Sequence, residues 1–165
     1  MKDFIQKSPS VLRRLDVGAK VVYTGFLVLS ALGLLTAALL HADGMGFSAE
    51  SGAAWWRGDE AAMVYPKSYR QLVELTHFHL FTEPVTFLVL AHLYNLGGGP
   101  VRRRVIVTAA TLASILLQVA LPWLVAYVSA AFAWLLIPVH TVLLLGLGTM
   151  IVAAIGEMWV PRSSS

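Results

Sequence analysis

A helix needs about 20 apolar residues to cross the hydrocarbon core of a bilayer, and four stretches of this chain are that long. They run over about Lys20 to Leu40, Leu75 to Leu96, Val105 to Val125 and Ala130 to Ile155. Backbone amides in lipid have no water to bond, so each stretch must satisfy its own amides as a helix. The expected fold is therefore all-α, a four-transmembrane-helix bundle forming a single integral membrane domain over residues 1–165. With 58% hydrophobic and 13% charged residues, the chain is more apolar than ordinary soluble domains. The first run is longer than the apolar core of a secretory signal, so it is expected to be retained as a helix.

Charge sets the expected orientation. Lys2, Lys7, Arg13, Arg14 and Lys20 precede the first span, Arg102, Arg103 and Arg104 follow the second, and Arg162 lies in the C-terminal tail. Fewer positive charges, Arg57, Lys67 and Arg70, lie between spans one and two. The positive-inside bias then puts both termini on the cytoplasmic side of the membrane. The basic balance reports topology and contact with anionic membrane lipids, not nucleic-acid binding. No cysteine is present, which excludes disulfides, thiolate catalysis, iron–sulfur ligation and covalent haem attachment through thioethers. Nucleophile motifs, phosphate loops and transporter-type inverted repeats are also missing, so hydrolytic, nucleotide-driven and carrier functions are not expected.

The connections differ in length. Residues 42–73 form a long outer loop in which Trp55, Trp56, Tyr65 and Tyr69 suit the headgroup region, and a short interfacial helix is expected over Ala49 to Val64. Gly97-Gly-Gly-Pro100 should turn the chain tightly on the inner side, and Leu121-Pro122-Trp123 should end the third helix on the outer side. Short turns make spans two, three and four successive antiparallel neighbours. Gly25, Gly33, Gly146 and Gly148 read as close-packing positions.

Within the spans the polar residues are few. Glu83 lies inside the second run, just after His77 and His79, and His140 is the comparable group in the fourth. An ionisable group at that depth costs at least about 2.5 kcal/mol and marks a functional site by default. At ~1.5 Å per residue, His79 lies ~6 Å, Glu83 ~12 Å and His140 ~9 Å below the outer face, with His41 closing span one and His77 at the mouth. At about 100° per residue, His79, Glu83 and Thr86 share one stripe of the second helix, while His77, Phe81, Leu88 and His92 take nearly the opposite side. Pro84 and Pro138 could each interrupt their helix beside these groups.

Three chemistries suit this set. Imidazoles from two helices at one depth can hold a haem b from both sides, with His79 and His140 the best-matched pair and His41 and His77 in reserve. His79 and His140 with Glu83 could instead ligate a transition metal without haem. A His/Glu pair in an apolar cleft could also exchange protons with a quinone headgroup stacked on Trp134, Phe81 or Phe87. Glu83 is the proton-handling group in each case. Against these stands a structural reading, in which Glu83 is hydrogen-bonded to His140 or Gln118, and Thr76, Thr108, Thr111, Ser114 and Gln118 are interhelical glue worth about 0.6 kcal/mol each.

The run Lys67-Ser-Tyr-Arg-Gln-Leu-Val-Glu74-Leu-Thr-His-Phe-His79-Leu-Phe, with Ala91-His92-Leu, Pro122-Trp123-Leu and Glu157-Met-Trp159, resembles a group of small, uncharacterised four-helix inner-membrane proteins of bacteria. Its Thr-His-Phe-His-Leu-Phe element is the most specific part, and the likeness implies no assigned activity. The chain is also loosely similar to four-helix membrane b-type cytochromes, but departs from them in having no histidine near the start of span one. The expectation that follows is a membrane redox subunit, serving haem b or quinone beside other subunits of a redox complex. The alternative is a non-catalytic anchor or assembly subunit whose outer loop docks a partner.

Overall fold

The computed structural model describes residues 10–160; Lys2, Lys7, Arg162 and the Ser163 to Ser165 tail lie outside the described residues. The α-helices are α1 (Val17–Gly44), α2 (Ala49–Arg57), α3 (Tyr69–Leu96), α4 (Val101–Trp123) and α5 (Leu136–Trp159). A 3-10 turn, Val11–Arg14, precedes α1, while a π turn, Leu124–Val128, and a 3-10 turn, Ala130–Leu135, join α4 to α5. The only β pairing among the described residues is an isolated bridge between Asp59 and Val64.

Three helical stretches are long and apolar enough to cross a membrane: Val17–Gly44, Val101–Val128 and Ala130–Trp159. At 28 residues α3 is as long as α1, about 42 Å at the α-helical rise. His77, His79, Glu83, His92 and Asn95 dilute its apolar content, so it matches the other spans in length but not in hydropathy. Its start is set by a capping box. Ser68 Oγ accepts from the Gln71 amide at 3.3 Å, and Gln71 Oε1 accepts from the Ser68 amide at 2.8 Å.

The four long helices run up and down in sequence. The C-terminal end of α1 meets the N-terminal end of α5 through His41 and His140, and its other end meets the C-terminus of α5, where Trp159 Nε1 donates to Thr24 Oγ1 at 2.9 Å. α3 and α4 are antiparallel, joined by Asn95 to Thr108 at one end and by Trp123 to Thr76 at the other. α4 and α5 approach closely at Gly146, where an added Cβ would lie 2.0 Å from Thr111 Oγ1. Gly25, Gly33 and Gly148 face open space, so of the glycines expected at close contacts only Gly146 makes one.

Burial is concentrated in two separate clusters. The first holds Leu12, Leu27, Leu90, Leu93, Tyr94, Leu147, Met150 and Ile151. The second, at the end carrying α2, holds Trp56, Leu72, Leu121, Val125, Leu136 and Val139. His79 and Glu83 of α3, Gln118 of α4 and His140 of α5 fall between residues of the two clusters along their helices.

Two expectations change here. The loop helix ends at Arg57, not Val64, because Gly58 adopts φ of +84°, a left-handed conformation that ends a helix. It also packs on the bundle end: Trp56 is buried in the second cluster. Arg57 Nη1 donates to the Val125 carbonyl at 2.9 Å and to Ala126 O, satisfying acceptors that the π turn leaves free. The prolines do not create facing interruptions either. α3 continues through Pro84, and Pro138 sits in the first turn of α5, where its missing N–H costs no helical bond. The break before His140 is the 3-10 turn itself.

Candidate functional site: a polar cluster in an apolar cavity

Between the two apolar clusters lies a cavity of about 840 Å³ bordered by α1, α3, α4 and α5, with Trp55 and Trp56 of α2 at one end. α1 packs on α5 but is not closely packed on α3, which leaves a cleft between α1 and α3. Leu29 and Leu40 on the α1 rim and Phe78 on the α3 rim are exposed. The walls are aliphatic and aromatic, and include Phe26, Leu34, Phe87, Leu90 and Leu147.

The floor is polar. Glu83 Oε1 lies 2.6 Å from His79 Nδ1 and accepts a hydrogen bond from Gln118 Nε2, so α3 and α4 are tied at this point. One turn of helix separates His79 from Glu83, which is why the two side chains meet on one face. Glu83 Oε2 is buried and has no hydrogen-bond partner in the protein. An orphaned acceptor of this kind in a cavity calls for a ligand or water to satisfy it.

His140 stands on α5 with Nδ1 2.6 Å from the Leu136 carbonyl. A carbonyl oxygen only accepts, so Nδ1 carries the proton and Nε2 is left with a bare lone pair. His79 Nδ1 lies 2.6 Å from Glu83 Oε1; in a neutral ring that donates to the carboxylate, its Nε2 is free as well. The His41 ring lies against His140, with centroids 4.6 Å apart and planes inclined by 52°. At the α2 end, Lys67 Nζ sits 3.7 Å from the Trp55 ring centroid, a cation–π contact between two residues that border the cavity.

Of the residues singled out from sequence, His41, His79, Glu83 and His140 all border the cavity. His77 does not; it is exposed on the far side of α3, where it stacks on Phe81 at 6.3 Å. His92 is exposed too. Phe87 borders the cavity, whereas Phe81 and Trp134 point away, 74% and 68% exposed. Gln118, expected from sequence as glue and, with His140, as one of two candidate hydrogen-bond partners of Glu83, is that partner and a member of the cluster. Its signal was present as the lone amide in an apolar run, but only the packing of α4 on α3 brings it to Glu83.

Among the described residues no three of His, Asp and Glu converge as a metal site would require. A closed metal centre needs three or four protein ligands, so a metal held by His79 and His140 alone does not fit. Haem needs only two. His41 and His140 are already in ring contact and leave no room for a metal plane between them. His79 and His140 remain suitable donors, because each anchors Nδ1 and frees Nε2, the arrangement typical of metal-bound imidazole.

The fold and site together define a membrane-spanning helical bundle with a ligand-sized, polar-floored cavity. Residues 46–165 match the model of the Aq_1264_TM family, described as a transmembrane helical domain, and the chain belongs to that family. No curated protein and no solved structure matches it.

Proposed function

We propose that this protein is a membrane redox subunit whose cavity holds the headgroup of a quinone, with Glu83 and His79 handling its protons. One observation carries the reading: the partnerless Glu83 Oε2 at the floor of an apolar cavity lined by α1 and α3. The volume falls in the range of small-molecule sites, about 300–1,000 Å³. A quinone reaching such a site from lipid would leave its tail along Leu29 and Leu40 and bring its ring to the His/Glu/Gln floor. Oxidation of a quinol to a quinone releases two electrons and two protons. Glu83 and His79 can take up the protons, while the electrons would pass to a partner subunit. In this reading α3 is a fourth span, the membrane is a bacterial inner membrane, and both termini are cytoplasmic.

Haem b is the second reading, favoured by the free Nε2 atoms of His79 and His140 on different helices. If haem is the cofactor, those two residues hold it and Glu83 orients His79; the haem supplies the one-electron chemistry.

Solvent extraction of the detergent-purified protein, with chromatography of the extract and a reduced-minus-oxidised visible spectrum, separates the two. Stoichiometric quinone with no α-band is the expected result. A stoichiometric b-type α-band would replace the quinone reading by the haem reading, and the absence of both would leave the anchor role.

A further inference from the structure

The hydrogen-bonding polarity of the cavity floor goes further than its shape. We infer that the site selects the reduced, hydroxyl-bearing headgroup, a quinol, over the quinone; this rests on the quinone-site reading above. The free positions around the floor are unusually one-sided. His140 Nδ1 donates to Leu136 O, so in the neutral ring its Nε2 accepts. His79 Nδ1 lies 2.6 Å from Glu83 Oε1, and a neutral ring donating to the carboxylate leaves its Nε2 to accept as well. Glu83 Oε1 is filled by His79 and Gln118, and Oε2, buried without a partner, is the acceptor that remains.

A quinone carbonyl brings further acceptors to acceptors. It would leave Glu83 Oε2 unsatisfied and set lone pairs against lone pairs. A quinol hydroxyl donates to Oε2 or to an imidazole Nε2 and satisfies it. One unpartnered buried donor also borders the cavity, Trp56 Nε1 of α2. A hydroxyl answers that group as well, because its oxygen accepts while its proton is donated, whereas a carbonyl answers the indole alone. Failing to satisfy buried polar groups is what makes hydrogen-bonding sites discriminate against analogues that lack the matching atom.

The test uses the full chain in lipid nanodiscs under anaerobic conditions, with calorimetric titration of a short-tailed benzoquinone, its quinol, and the quinol dimethyl ether. The ether has the same ring and no donors. The quinol is expected to bind at least about tenfold more tightly than either of the others, the scale on which one unmet buried polar group is felt. In Glu83→Gln, whose amide supplies a donor at the same place, that preference should shrink toward unity. Quinone binding as tightly as quinol, or the ether binding equally, overturns the donor selection and leaves the quinone site standing. No binding of any of the three overturns both. The comparison within the unaltered protein decides the matter even if the variant fails to fold.

Discussion

His77 and His79 are separated by one residue and by most of a helix circumference, and the difference decides their roles. His79 faces Glu83 and Gln118; His77 stacks on Phe81 outside the bundle. Replacing His79 with Ala removes a donor to Glu83 Oε1 and an acceptor from the floor. Quinol affinity should fall about tenfold or more, while His77→Ala should stay within about twofold. Equal effects in a binding titration would remove the cavity floor as the site. Both histidines were visible in sequence, and so was their angular separation, because helical periodicity is a local property. The tautomer at His140 was not, since it depends on the Leu136 carbonyl and on where the 3-10 turn gives way to α5.

At the scale of elements, small residues and one tryptophan set how helices meet. Gly146→Ala puts a methyl into Thr111 and should lower stability by about 1–3 kcal/mol, the usual cost of overpacking. Gly148→Ala meets open space and should be nearly neutral. Thermal unfolding in one detergent compares them, and equal losses would show that α4 and α5 are not held at Gly146. Trp56→Ala empties a buried position in the cluster that seats α2, with an expected cost of about 3–5 kcal/mol; an unchanged melting temperature would mean that α2 is not docked as described. The lengths of the long helices could be read from apolar runs. The docking of α2 could not, because Trp55 and Trp56 look alike in sequence and only the packing of Ala133 and Leu136 buries one of them.

For the molecule as a whole, the loose side is the one between α1 and α3. α1 leans on α5 with Leu27 as its one fully buried side chain among the described residues, so it has little to hold it against α3. The chain has no cysteine, which makes site-specific spin labelling clean. Labels at Leu40 and Phe78, both exposed rim residues, should give a broader distance distribution than labels at Leu112 and Leu145 on α4 and α5. Added quinol should narrow the first pair and leave the second unchanged. A first distribution as narrow as the second, in the absence of ligand, would argue against a cleft that admits a ligand from the bilayer.

The apolar runs by themselves determined a helical membrane protein, because continuous apolar runs of about 20 residues match spanning helices and are about twice the length of a barrel strand. Glu83 and the histidines of α3 and α5 were marked as unusual because charge and hydrogen-bonding groups are costly in hydrocarbon. Sequence also placed His79 and Glu83 on one helical face. What only the tertiary structure decided is which groups across helices meet: Gln118 with Glu83, His41 with His140, Trp56 with the end of the bundle. Those contacts depend on helix rotation and on a gap between α1 and α3, which arise from the packing of whole faces rather than from any local pattern.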